Sequence, residues 1–229
     1  MLRLPPVFLA VSLSLALACT PLRTHAPLSD LTGAHELDAP DRDQWQMPHT
    51  IVHAMEIKPG MKVVDLGAGT GYMLPFLSEA VGPTGKVYAV EIQKDFATML
   101  RYRVHHEQLG NVEVIEDAAA TLSLPTKVDR LLLLHTYREL EQPIAMLKAI
   151  HAALNPGGLV VIVDARPDKL VEGPPPEQRV SPGTVEAEAR GAEFTVIADL
   201  TVLPRDYLLV LADEDEAARM PPSSTPTQP

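Results

Sequence analysis

From Lys62 to Leu211, short apolar runs rich in Val, Leu and Ile alternate with longer stretches of helical character. Such alternation is the sequence form of repeated βαβ units that close a parallel sheet. The strands it predicts are Lys62–Leu66, Lys86–Glu91, Val112–Glu116, Val128–Leu134, Leu159–Asp164, Phe194–Ala198 and Tyr207–Leu211. Helices are expected between them at Tyr72–Ala80, Lys94–Gln108, Pro143–Leu154 and Thr184–Arg190, with another at Trp45–Met55 ahead of the first strand. Only Leu200–Asp206 separates the last two strands, too short a link for a right-handed parallel crossover, so that pair should be antiparallel. The expected fold class is α/β: a doubly wound, mostly parallel seven-stranded sheet with a C-terminal antiparallel hairpin.

Composition agrees with this reading and narrows the partners. The chain of 229 residues is 46% hydrophobic but only 4% aromatic, which suits buried parallel strands and packed helices better than an aromatic-rich sandwich. One catalytic domain with appendages is the default at this length. A formal net charge of -11 provides no basic face for phosphates, so a nucleic-acid substrate is disfavoured.

The two ends read differently from the middle. Arg3 precedes an apolar run from Val7 to Ala18, too short to cross a bilayer at about 20 residues but suited to a signal-peptide core. That run stops at Leu17-Ala18-Cys19, which resembles a lipoprotein cleavage site with an acylated cysteine. Cys19 is the one cysteine of the chain, so neither an internal disulfide nor a thiolate metal cluster can form. The expected organisation is a signal peptide over 1–18, a tether over 19–40, a catalytic domain over 41–212 and a disordered acidic and Pro-rich tail over 213–229. The implied location is exported, periplasmic or held at a membrane through a lipid on Cys19.

Chemistry concentrates where strands end. In Val63-Val64-Asp65-Leu66-Gly67-Ala68-Gly69-Thr70-Gly71 a buried strand runs into a glycine turn and then a helix. Glycines at alternate positions let backbone approach a ligand, and the helix start that follows offers unpaired N–H groups. Twenty residues beyond Gly71, Glu91 closes the second strand, followed by Ile92, and a carboxylate there can accept hydrogen bonds from both ribose hydroxyls. At the third strand end, Asp117 could take an adenine amine proton and the Ala118 N–H could face a ring nitrogen. A lone acid is usually a solvated loop carboxylate, but acids at three consecutive strand ends lie on the side where such sheets bind ligands.

These residues resemble the successive motifs of class I S-adenosylmethionine (SAM)-dependent methyltransferases. The likeness runs through DLGAGTG, VYAVEI, Asp117-Ala118 and Leu154-Asn155-Pro156-Gly157-Gly158, over roughly residues 41 to 211. It is strongest to small bacterial methyltransferase-domain proteins, often exported, that share the lead-in Asp41-Arg42 and Trp45-Gln46-Met47-Pro48 and the segment Gly173-Pro174-Pro175-Pro176. The resemblance implies a Rossmann-like methyltransferase fold and SAM as cofactor. Asp65, Gly67, Ala68, Gly69 and Gly71 would flank its methionyl part, Glu91 with Ile92 its ribose, and Asp117 with Ala118 its adenine. A nicotinamide dehydrogenase is the rival, but Tyr72 stands where the third glycine of that spacing would fall.

The expected activity is transfer of the sulfonium methyl to a small-molecule acceptor by in-line displacement, which depends mainly on positioning. The fourth strand ends in Leu134-His135-Thr136-Tyr137-Arg138-Glu139, which should face that methyl. His135 is a candidate base and Tyr137 a candidate wall or hydroxyl partner; the plainer reading has His135 merely lining the pocket. The resembled group tends to carry Thr-Tyr-His-His here, so Arg138 and Glu139 depart from its pattern. No metal site is expected: His105 and His106 are adjacent on a surface helix, and His49 with His53 lack a third ligand. Because SAM is made in the cytoplasm, the leader leaves a second reading, a non-catalytic SAM-binding lipoprotein.

Overall fold

The computed structural model describes residues 37–117, 121–167 and 173–218. The leader, Cys19, Ala118 and the end of the tail lie outside the described residues.

Seven strands form one sheet: β1 Lys62–Leu66, β2 Lys86–Glu91, β3 Val112–Glu116, β4 Val128–Leu134, β5 Leu154–Ala165, β6 Phe194–Leu200 and β7 Asp206–Asp213. Their spatial order is β3-β2-β1-β4-β5-β7-β6. The first five run parallel, and β7 lies antiparallel between β5 and β6. The α/β fold class with an antiparallel C-terminal pair is therefore the observed one. Order reverses between β1 and β4, and a crevice opens beyond the carboxyl ends of such strands.

Alternation along the central strands builds two cores. On one face Val64, Leu66, Val90, Leu131, Leu133 and Ile162 pack under helices α5 Pro143–Ala153 and α6 Pro182–Arg190. On the other, Val63, Val87, Ala89, Leu132 and Val161 pack under α2 Pro48–Ala54, α3 Leu74–Val81 and α4 Lys94–His106. Positions covered on both faces are apolar in succession, which is why β4 ends in four consecutive leucines.

Several boundaries differ from expectation, three of them at the two ends of the domain. The lead-in helix is two pieces, α1 Arg42–Gln46 and α2, because Pro48 disfavours a helical conformation before it and Met47 turns left-handed at φ 50°. Residues 37–40 belong to the domain rather than to a tether: Asp38 pairs with Arg103 at 3.1 Å, and the Leu37 carbonyl accepts from Arg42. The acidic segment is also structured at its start. Asp213 ends β7 and caps the short helix α7 Glu214–Ala217, its Oδ1 accepting from the Asp215 and Glu216 N–H groups.

Candidate functional site

The glycine turn after β1 is held from beneath and from the side. Gly67 and Ala68 donate to the Val90 carbonyl at 2.9 and 3.1 Å, and Arg103 of α4 reaches the Thr70 carbonyl at 2.9 Å. Gly67, at φ +73°, stands so close to the tip of β4 that a Cβ there would meet Thr136 at 2.5 Å. Gly71 works differently from its expected role. Its Cβ would strike Leu100 and Leu74 at 2.8 and 2.9 Å, so it admits close helix packing and does not line the cleft.

Around this turn opens a cleft of about 690 Å³, within the usual size of ligand pockets. Its walls bring together Asp65, Gly67, Ala68 and Gly69 with Glu91, Ile92, Asp117 and His135. Glu91 is well oriented: Oε2 accepts from the Gly69 N–H at 3.0 Å and Oε1 from the Gln93 N–H at 2.9 Å. Asp117 accepts from the Thr121 hydroxyl and the Ser123 N–H, both at 3.2 Å.

Asp65 is 3% exposed and accepts no hydrogen bond from a described residue. Burial pushes its carboxyl up to about 7; the Arg42 guanidinium opposes the rise and Glu91 adds to it. Beside it, the Thr70 hydroxyl and the Arg42 Nε are buried without a hydrogen-bond partner among the described residues. A buried acid and the polar backbone of the glycine turn on one cleft suit a ligand that is cationic and rich in polar edges. The methionyl and ribosyl parts of SAM have that chemistry.

Tyr137 does not reach the cleft. It is fully buried in the face beneath α5 and α6, and its hydroxyl donates to Glu188 of α6 at 2.6 Å. The chain turns at His135, φ +57°, and enters a 3₁₀ turn over Tyr137–Glu139, which sends the phenol inward. Arg138 instead lines the cleft, bound to Asp164 of β5 at 2.7 Å. His135 is tied to residues that sequence reasoning missed: Nε2 lies 2.9 Å from Asp206 Oδ2, which also accepts from the Gln46 amide at 2.8 Å. Burial alone would raise the Asp206 carboxyl, but His135 and Gln46 outweigh it and hold the group below the usual carboxylate range. The shared Trp45-Gln46 lead-in was the available signal for this part of the site. Trp45 stacks on the His135 ring at 6.2 Å and 8°. No cluster of three metal-ligating side chains occurs among the described residues.

Residues 63–158 match the family model of a methyltransferase domain. A SAM-dependent methyltransferase from Aquifex aeolicus superposes with a TM-score of 0.76 at 28% identity, covering 80% of this chain and 98% of that one. Residues 63–158 thus carry the likeness of a methyltransferase domain, set in the Rossmann-like methyltransferase fold. SAM is the cofactor that such a domain takes, and a methyltransferase from Thiobacillus denitrificans solved with S-adenosylhomocysteine shares the fold, with a TM-score of 0.60 at 13% identity over 82% of this chain and 100% of that one. Among curated relatives, a demethylmenaquinone methyltransferase of Geobacillus sp. (strain WCH70) is 29% identical over 118 residues, 51% of this chain and 50% of that protein. A protein-L-isoaspartate O-methyltransferase of Pyrobaculum neutrophilum (strain DSM 2338 / JCM 9278 / NBRC 100436 / V24Sta) is 32% identical over 122 residues, 50% of this chain and 55% of that protein. The chain thus spans about half the length of the curated relatives it matches.

Proposed function

We propose that this protein transfers the sulfonium methyl of SAM to a small-molecule acceptor that enters the same cleft. The observation that carries the reading is the convergence of Asp65, Glu91 and Asp117 on the glycine turn at the switch point of the sheet. Asp65 would face the positive charge of the methionyl part, Glu91 the ribose hydroxyls and Asp117 the adenine. A sulfonium leaves as a neutral thioether and needs no protonation, so the protein contributes chiefly by aligning acceptor and methyl. The relatives' names point to acceptors as different as a quinone precursor and an altered peptide, and do not select between them. The cleft's size and partly apolar far wall of Leu140, Ala145 and Met146 favour a small molecule.

Calorimetry with SAM and S-adenosylhomocysteine, followed by incubation of the protein with methyl-labelled SAM and fractionated extracts, tests the proposal. Binding of both nucleosides and label in a small-molecule fraction are expected. Absence of SAM binding would end the reading, and label confined to protein would overturn the acceptor class.

A further inference from the structure

Residues 37–46 form a strap along the cleft that does not belong to its rigid frame. The strap joins α2 through Met47, left-handed at φ 50°, and is rooted by the buried Gln46 amide on Asp206 at 2.8 Å. Its far end rests on the glycine turn: Leu37 Cδ1 comes within 3.7 Å of where a Gly69 Cβ would stand, and Leu37 and Arg42 both line the cleft. No apolar residue of the strap is buried, and the two residues that α1 does bury, Arg42 and Gln46, are polar. Polar contacts hold it down instead. Asp38 pairs with Arg103 at 3.1 Å, Asp43 accepts from the Tyr72 hydroxyl at 2.7 Å, and the Arg42 guanidinium lies 3.9 Å over the Tyr72 ring. The first two are exposed, where such contacts are weak. Arg42 Nε, buried without a partner among the described residues, adds a cost to the closed arrangement. Segments with few buried apolar contacts and solvent-exposed bonds are the ones that open locally. The other walls are seated more firmly: Gly67 and Ala68 donate to the Val90 carbonyl, and α5 is packed through Leu147 and Ile150, both fully buried.

We propose that residues 37–46 are the gate through which the cofactor enters and leaves the cleft, and that Arg103 is the positioning residue that catches it shut. The inference rests on the methyltransferase reading above and concerns the regulation of that same site. A ligand of SAM's size ends with most of its surface covered, so one wall must yield before it can enter, and the strap yields at least cost. Arg103 suits the role because one guanidinium holds both sides of the seam. Its Nη1 donates to the Thr70 carbonyl of the glycine turn at 2.9 Å and its Nη2 to Asp38 of the strap at 3.1 Å, while Nε pairs with Glu107 at 3.1 Å. The bonds to Thr70 and Glu107 aim the group, so the strap closes onto a donor already in place. Asp38 and Asp43 lie outside the lining of the cleft, so these latches hold the closed strap equally with and without a ligand. Weakening them raises the open fraction of both forms alike: association and dissociation quicken together, and the equilibrium between them stays nearly where it was.

The chain's single tryptophan, Trp45, sits on the strap against His135 and Arg205, so its fluorescence reports on strap and cleft without a label. The test is stopped-flow mixing of the full chain with S-adenosylhomocysteine, the dependence of the rate on ligand concentration giving association and dissociation separately. Asp38→Asn combined with Asp43→Ala should raise both rates roughly 5- to 20-fold, the worth of one exposed ion pair and one hydrogen bond. Affinity by calorimetry should stay within about 3-fold, which also reports that the variant has folded. Asp38→Glu, which keeps the carboxylate, should exchange ligand near the wild-type rate. Arg103→Lys lacks the fork that holds turn and strap together and should quicken exchange as Asp38→Asn does. Added salt should speed exchange in the wild type and not in Asp38→Asn, which has no ion pair to screen. A rise in dissociation alone, matched by an equal loss of affinity, would overturn the gate, since the latches would then be part of the binding site. Rates unchanged in the double variant would overturn it as well. Absence of any S-adenosylhomocysteine binding to the wild type would instead sink the methyltransferase reading, and the gate with it.

Discussion

Replacing Asp65 with Asn should stabilise the ligand-free protein at neutral and alkaline pH while weakening its hold on SAM. Burial raises the Asp65 carboxyl from the ordinary 3.8 to about 7, with Arg42 opposing and Glu91 reinforcing the rise. Between those values the folded chain binds a proton that the unfolded chain has lost. Stability therefore falls as pH rises from about 4 to about 7, then levels off. At ~1.4 kcal/mol per pH unit, keeping this side chain ionised in the folded state costs ~4 kcal/mol above neutrality. An amide cannot ionise, so the wild-type-minus-variant difference in unfolding free energy should tilt by up to ~4 kcal/mol between pH ~4 and ~8, other titrating groups cancelling in the subtraction. Urea denaturation of both proteins across that range measures it. A bound cation would pull the carboxyl back to its charged form, so SAM binding near pH 6 should release a proton, visible as a binding enthalpy that changes with the buffer. The variant should bind SAM roughly 10- to 100-fold more weakly, the worth of one charge-assisted hydrogen bond. Parallel stability profiles and buffer-independent enthalpies would refute the reasoning, because both follow from the same buried, unpaired acid.

Glu91→Gln should reduce SAM affinity roughly 10- to 100-fold by calorimetry, since the charged acceptor that fixes the Gly69 N–H is lost along with the expected ribose contact. Gly71→Ala should cost roughly 1–3 kcal/mol in unfolding experiments, because φ is +85° and the new Cβ strikes Leu100 and Leu74. Tyr137→Phe should lower stability by about 1 kcal/mol through loss of the Glu188 hydrogen bond and leave SAM affinity unchanged. A large loss of SAM affinity in that variant would return Tyr137 to the cleft.

The legible part of the fold was local. β1, β2, β3 and β4 have the ends that apolar patterning alone assigns, because each apolar run is closed by a glycine, acid or turn. β5, β6 and β7 run longer than their apolar cores, since backbone pairing extends through polar ends such as Asp206 and Asp213 that patterning reads as loop. Helix ends shifted for local reasons too. Pro48 splits the lead-in, and Gly82 closes α3 one residue beyond the expected stretch.

The acidic side of the cleft could be read from sequence because its residues sit at fixed offsets within βα units, where strand direction alone delivers them to one edge. That logic brought Asp65, Glu91 and Asp117 to one cleft and could not see the far wall. Tyr137 lies two residues from His135, yet a single left-handed backbone angle sends one into the core and leaves the other in the cleft. Asp206 lies 71 positions from its histidine and 160 from Gln46, separations over which no spacing rule operates. Those partners meet because β7 inserts between β5 and β6 and carries Asp206 to the tip of the sheet, where α1 folds down upon it. Short-range patterning thus determined which acids meet at the edge of the sheet. Only the closing of the sheet decided what stands beside it, since a side chain's partner across a sheet is chosen by strand order and not by distance along the chain.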